Sequence, residues 1–448
     1  MWKHIFSCKK IEVFHMIDIS IPMNINFTLN GEFTIVNLCE KIHDLEIEKL
    51  ILAEFIGEFG EIITTELCGE KYKHDKKDYR YGRAGKSGRK IITMVGELDF
   101  NVDKIRDKVT GEIFKPLLPM LGIEPYKNFQ DDISFVSTGI ATKSTYRDTI
   151  YIMKNFLKKS LSPSTINRRV IEIGKEIKEF MKDKNKDNKE TYDYFYADGT
   201  KSHSQENRYK NDIKVAMTTN NQNEKIFLSC SVNESWNELN QEINEINVLN
   251  HDAVLVADGE PELKNKLTTG KRKYQIDYIH FIRDIRYNLW KDNKLNLDTR
   301  KNMVKKAEKI IYKLKNQIDK YKDNKKILKE KINKAVDKLK QFSEYLYELG
   351  CEKTAKFIKK HSNHIVTFAI LQTEGKNIPW NSNIIERLMG EIQKRCKHKW
   401  MRWTTQGQES ILNLIITRYT NPQNYTEFQN KKLKTKNKNN IQTKITIT

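Results

Sequence analysis

Residues 192–257 alternate strand-like and helical patterns in an order that few folds accommodate, and this order constrains the chain more than any other feature. Residues 192–197 are an aromatic run closed by Asp198-Gly199, and residues 212–218 and 225–232 follow as further strands. A helical pattern covers residues 236–246, and residues 253–257 are an apolar strand closed by Asp258-Gly259. The order is β, β, β, α, β. Either Asp-Gly alone is a favoured turn dipeptide. A further run, residues 274–281, reads as another strand passing into a helix near Arg286.

Charge bears on the partner. Lys+Arg number 80 against 59 Asp+Glu, a net +21, and such a field attracts polyanions, of which nucleic acid is the commonest. The chain is also rich in Lys, Asn and Ile, as an AT-rich genome would produce, so charge alone is weak support for DNA. The six cysteines are scattered with no close Cys or His spacing, which argues against a zinc finger or a disulfide framework and for a reducing compartment. No apolar run is long enough to span a bilayer and no signal-peptide core is visible, so the expectation is a cytoplasmic or nucleoid-associated protein with no membrane partner. At 448 residues, roughly two to four domains are expected.

The flanking regions divide accordingly. Residues 1–135 form an N-terminal basic region, a candidate for DNA binding, with one helix over 36–59 carried by Leu45, Ile47, Leu50, Ile51 and Phe55. Residues 71–90 interleave Tyr72, Tyr79 and Tyr81 with lysines and arginines, and lead as a basic turn into a strand over 91–95. Gly82 to Ser87 does not make a phosphate-binding loop, because Arg80 stands where the first glycine is needed. Residues 136–185 contain two helices broken at Ser162-Pro163, a good cap and first position. They fit a helix-turn-helix presenting Asn167, Arg168 and Arg169 to DNA, or an ordinary helical hairpin with a solvated basic face.

Residues 295–374 are a lysine-rich helical block in which Val304, Ala307, Ile311, Leu314 and Ile318 step at helical spacing, as do Leu328, Ile332, Ala335, Leu339 and Phe342. Residues 383–395 then form a helix with Asn383 as its cap, in which Glu386 either closes a capping box or stands free as a ligand. Behind it, Lys394, Arg395, Lys399, Trp400, Arg402 and Trp403 combine charge with flat rings, suited to backbone contact and base stacking or, for the tryptophans, to a core. A last helix runs from about 406, capped by Thr405, and residues 429–448 read as a disordered tail.

Together these segments resemble a known family. Tyr196-Ala-Asp198-Gly199-Thr200-Lys201, Val256-Ala-Asp258-Gly259-Glu260-Pro261, Asp277-Tyr-Ile-His280 and Asn383-Ile-Ile-Glu386-Arg387 are similar to the motifs of DDE transposases of prokaryotic insertion sequences, in the Mutator-like group. The resemblance covers roughly residues 140–428 and implies an α+β/α multidomain chain. Its ribonuclease-H-like catalytic core, a mixed sheet flanked by helices, would occupy 190–294 and 375–428, interrupted by the all-α insertion over 295–374.

The resemblance further implies that Asp198, Asp258 and Glu386 are catalytic ligands of Mg2+, with Mn2+ as a possible substitute. In such chemistry two ions about 3.5–4 Å apart activate the attacking oxygen and stabilise the leaving one, and hard ions select carboxylate oxygens. Double-stranded DNA is the implied partner, both the terminal inverted repeats of the element and a target, bound by a homo-oligomer that is at least a dimer. His280, where relatives often have Cys-x-x-His, and Arg387 are candidate DNA contacts. Two other readings remain open, a two-metal nuclease without strand transfer and a non-catalytic DNA-binding protein.

Overall fold

A computed structural model describes residues 18–23, 25, 34–69, 79–157, 161–187, 190–206, 209–220, 222–321 and 323–433. The chain divides into two compact units, Met1–Gly139 with Arg147–Pro163, and Ile140–Tyr146 with Ser164–Thr448. No helix among the described residues is long and apolar enough to cross a membrane.

In the first unit, helix α1 (Ile35–Asp44) opens on a capping box between Thr34 and Asn37. Glu46, at φ 46°, breaks the backbone before α2 (Ile47–Cys68), so the single helix expected over 36–59 is two. Strands β1 (Tyr81–Thr93) and β2 (Gly96–Asp107) form an antiparallel hairpin against α2, around Ile56, Ile63, Ile91, Leu98 and Val102. The expected basic turn is therefore a strand, because residues 81–93 find a partner in residues too distant for local propensity to reveal. Its cations meet carboxylates: Arg80 pairs with Asp107 at 2.6 Å, Arg83 with Glu61 at 2.9 Å, and Lys90 with Glu97. Tyr72 and the lysines through residue 77 lie outside the described residues. Strand β3 (Ile113–Phe114) and helices α3 (Leu117–Met120), α4 (Asp131–Ala141) and α5 (Tyr146–Leu157) follow.

The second unit is built on α6 (Pro163–Asp187), β4 (Tyr192–Ser202), β5 (Asn211–Thr219), β6 (Lys225–Val232), α7 (Trp236–Ile246), β7 (Leu249–Ala257), α8 (Pro261–Leu267) and β8 (Lys273–Ile276). The five strands lie in the order β6-β5-β4-β7-β8. The first three neighbours are antiparallel, as short connections require, whereas β4, β7 and β8 run parallel because helices join them. Their carboxyl ends share one edge of the sheet. The run expected as a strand over 274–281 splits there: β8 stops at Ile276, and Asp277 caps α9 (Tyr278–Asp292) by accepting the His280 N–H at 2.6 Å.

Helices α10 (Leu297–Tyr321) and α11 (Lys325–Glu348) are the expected pair, burying Val304, Ala307, Ile311, Leu314 and Ile318 on one and Leu328, Ile332, Leu339 and Phe342 on the other. Short helices α12 (Glu352–His361) and α13 (Thr367–Thr373) lead back to the sheet. The unit closes with α14 (Asn383–Cys396), α15 (Thr405–Thr420) and α16 (Pro422–Leu433). Thr404 rather than Thr405 caps α15, accepting from Gly407 N–H at 3.1 Å. The expected tail begins later than residue 429, since α16 runs to Leu433 and buries Phe428; residues 434–448 lie outside the described residues.

One face of the sheet meets α7, where the Trp236 ring lies against Gly199. The opposite face meets α14 and α15, through Gln393 on Thr200 at 3.4 Å and Gln408 on Ser202 at 2.5 Å. Along β4 the side chains alternate, so Asp198 shares the face of Thr200 and Ser202.

Candidate active site

Register brings the first two acids together. Tyr196 pairs with Val256 across the parallel β4 and β7, so Asp198 and Asp258, each two residues on, stand level on adjacent strands, about 4.8 Å apart at the backbone. Strand β7 ends at Ala257, whereas β4 continues through Asp198, which pairs with Val215 of β5. Asp198 is thus inside its strand and not in the turn expected from its sequence. The pairing holds it rigidly at the edge where β7 has stopped. Its Oδ1 accepts the Gly199 N–H at 2.7 Å, and Asp258 Oδ1 accepts the Glu260 N–H at 3.0 Å. The Tyr274 hydroxyl donates to the Asp258 carbonyl and fixes the turn.

Glu386 comes from α14, whose buried Ile385, Leu388, Met389 and Ile392 set the helix on the sheet. It does not act as a cap. Ser382 is the N-cap, and Glu386, its side chain 37% exposed, has one buried oxygen, Oε1, with no hydrogen-bond partner. His280 Nδ1 lies 3.5 Å from that oxygen.

The electrostatics register the assembly. Burial pushes the Asp198 carboxyl up to about 7; its backbone hydrogen bond and His280 oppose this, while the charges of Asp258 and Glu386 add to it. The charges of Asp258, just past β7, and of Glu386 on α14 therefore act on Asp198, although the oxygens of the three acids do not all lie within 4.8 Å of one another. An all-oxygen set of this kind suits a hard divalent cation.

Asp277, which the sequence marks only as a departure from Cys-x-x-His, is fully buried and holds the site in place. One of its oxygens accepts from His280 N at 2.6 Å and faces His280 Nδ1 at 3.0 Å. The other accepts from Ser382 N at 2.6 Å and Ser382 Oγ at 3.0 Å. Burial pushes this carboxyl up, but the hydrogen bonds from His280 and Ser382 outweigh it and leave it below its ordinary value. Asp277, His280 and Glu386 lie close enough to share an ion, yet both Asp277 oxygens are occupied. Asp277 therefore orients the start of α14, and His280 lies in the first turn of α9. Burial lowers the imidazole, but Asp277 more than compensates and leaves it above its ordinary value.

The other expected residues separate into two groups. Arg387, Lys394, Lys399 and Arg402 are exposed, and Trp400 is 90% exposed at φ 54°, a backbone state rare for a bulky side chain. Lys394 pairs with Glu391 at 2.8 Å. Arg395 and Trp403 are instead interior, each 2% exposed, which overturns their expected place on a DNA surface. Arg395 donates to the Ala141 carbonyl at 2.6 Å and lies 4.8 Å over the Trp403 ring, whose Nε1 donates to the Cys396 carbonyl at 3.1 Å. Its spacing of three from Ile392 put it on the apolar face of α14, a signal that the charge cluster masked.

Of the residues expected to read DNA from a helix-turn-helix, Arg168 is exposed, Arg169 pairs with Glu172, and Asn167 is half-buried near Gly407 of α15. Nearly all of α6 belongs to the second unit, whereas residues 147–163, which hold most of α5, belong to the first.

No curated protein matches the sequence significantly. The family described as Transposase, Mutator family, matches residues 38–427, nearly the whole chain. With that extent of match the chain belongs to the Mutator family of transposases.

Proposed function

We propose that Asp198, Asp258 and Glu386 form a DDE site for a pair of Mg2+ ions, with Mn2+ as a substitute, on a ribonuclease-H-like core. The enzyme would cut DNA at the ends of its element and join the freed 3′-OH to target DNA. The strand order β6-β5-β4-β7-β8, with acids at the shared edge and a late helix supplying the third, supports this core. The observation that carries the reading is the placement of Asp198 and Asp258 level at adjacent strand ends, with the charge of Glu386 on α14 acting on Asp198. When bound, such ions activate the attacking oxygen and stabilise the leaving one.

The chain's own groups supply the rest. Asp198 and Asp258 hold fixed positions because sheet pairing and turn hydrogen bonds leave their backbones no freedom, and Asp277 fixes the approach of Glu386 through Ser382. His280 stands beside the acids as a hydrogen-bond donor for a phosphate oxygen. Arg387, Lys399, Trp400 and Arg402 are offered to the DNA backbone and to an exposed base, and Arg168 is the remaining candidate contact from α6. Joining two ends calls for at least two copies on the DNA. The test is incubation of pre-cut element ends bearing a 3′-OH with a supercoiled target and Mg2+. Joined products support transposition, whereas cleavage of uncut ends in a parallel reaction, with no joining of the pre-cut ones, would leave a nuclease.

A further inference from the structure

The junction between the core and the insertion carries a second surface with features of a nucleic-acid site. Helix α9 buries Phe281, Ile282, Ile285 and Leu289, and its opposite side forms, with α10, an open cleft of about 690 Å³. Tyr287 and Trp290 line it, 50% and 61% exposed, with rings 5.8 Å apart and 17° from parallel. Exposing two large rings to water is unfavourable unless a partner covers them.

The charges indicate which partner. The cleft is lined by Arg283, Arg286, Arg300, Lys301 and Lys305 against a single acid, Glu308. Arg283 pairs with the neighbouring Asp284 at 3.3 Å and Lys301 with Asp298 at 3.5 Å, whereas Arg300 Nε is buried with no hydrogen-bond partner and Arg286 and Lys305 form no ion pair among the described residues. An apolar protein partner would leave these cations desolvated, whereas a polyanion with aromatic faces would satisfy both halves of the surface. The position is also informative. Tyr287 follows His280 by seven residues, nearly two turns, and so lies on the same side of α9, about 10 Å along its axis.

We infer that the α9–α10 cleft holds an unpaired nucleotide of the DNA being processed, its base stacked on the outer face of Trp290, since Lys291 lies 4.3 Å over the Tyr287 ring, and its phosphates on Arg283, Arg286 and Arg300. Two ring intervals need roughly 6.8 Å, more than the 5.8 Å between these rings, so the base extends the stack and does not enter it. The inference rests on the reading of this site as one that acts on DNA, and assigns this junction to a strand leaving the duplex near the acids.

The test uses the full chain in EDTA, so that binding is read without cutting. Two duplexes are compared by fluorescence anisotropy, one fully paired and one with a single unpaired 2-aminopurine. Wild type is expected to bind the unpaired probe more tightly and to quench its fluorescence by stacking. Trp290→Ala and Tyr287→Ala should each weaken that binding about tenfold and change the paired duplex less than about twofold. Trp290→Phe should restore most of the loss. Equal loss on both probes, or no loss on either, would overturn the inference. So would an unchanged preference accompanied by a shift in the protein's mass in solution, which would assign the platform to a second copy of the chain. A stacking signal that survives in Asp258→Asn, which should not cut, keeps this inference separable from the metal-site proposal.

Discussion

Replacing Asp198 by Asn should stabilise the metal-free protein at alkaline pH while removing its chemistry. The folded protein pushes this carboxyl up to about 7 from an ordinary 3.8, first by burial and then by Asp258 and Glu386. Well below 3.8 the acid is protonated in both folded and unfolded chains and costs nothing. As pH rises toward 7 the unfolded chain gains from ionising while the folded one does not, so stability falls, and the fall is complete above 7. At about 1.4 kcal/mol per tenfold, the full cost is about 4 kcal/mol. Asparagine keeps an oxygen for the Gly199 N–H, so most of this should be recovered.

The assay is thermal unfolding in EDTA at pH 8 and pH 5.5, read as an apparent midpoint because a two-unit chain need not unfold in one step. Asp198→Asn should melt several degrees above wild type at pH 8, with the gap roughly halved at pH 5.5. Mg2+ at pH 8 should raise the wild-type midpoint and leave the variant's unchanged. A variant no more stable than wild type at pH 8, or a gap independent of pH, would refute the electrostatic account of the site.

Asp277→Asn keeps the volume but loses a buried acceptor shared by Ser382 and His280, so cutting should fall at least about tenfold with DNA affinity retained; filter binding beside a cleavage time course checks this. Arg395→Ala should destabilise the protein by about 3 kcal/mol and leave the salt dependence of DNA binding unaltered, since the guanidinium is interior. Gly174→Ala would gain about 1 kcal/mol of helix propensity. Its added carbon, however, would fall on the Ser410 backbone, 2.7 Å from the carbonyl carbon, so the net effect should be a loss of about 2 kcal/mol in urea unfolding.

Much of the second unit was readable because its signals are local. The limits of β6 and α7 and the buried rows of α10 and α11 follow from periodicity. What escaped depends on partners far along the chain. Residues 198–202 are too polar to read as strand, and only their pairing with β5 makes them one. Asp277 gains its role from Ser382, 105 residues away, which no spacing rule connects. The basic residues at and just before β1 read as a DNA track until Glu61, Asp107 and Glu97 meet them. Trp400 and Trp403, three residues apart, divide into an exposed and a buried ring because the chain at Trp403 lies beside Ser204 and the chain at Trp400 turns outward.

The central claim is that Asp198, Asp258 and Glu386 act as one metal site. Its most direct test is Mg2+-dependent cleavage of DNA bearing the element's own ends, comparing wild type with Asp198→Asn, Asp258→Asn and Glu386→Gln, with end binding measured in parallel. Wild type should cut, and each substitution should abolish cutting while end binding persists. If Glu386→Gln still cuts, or wild type binds the ends and never cuts them, the three carboxylates are not the active site.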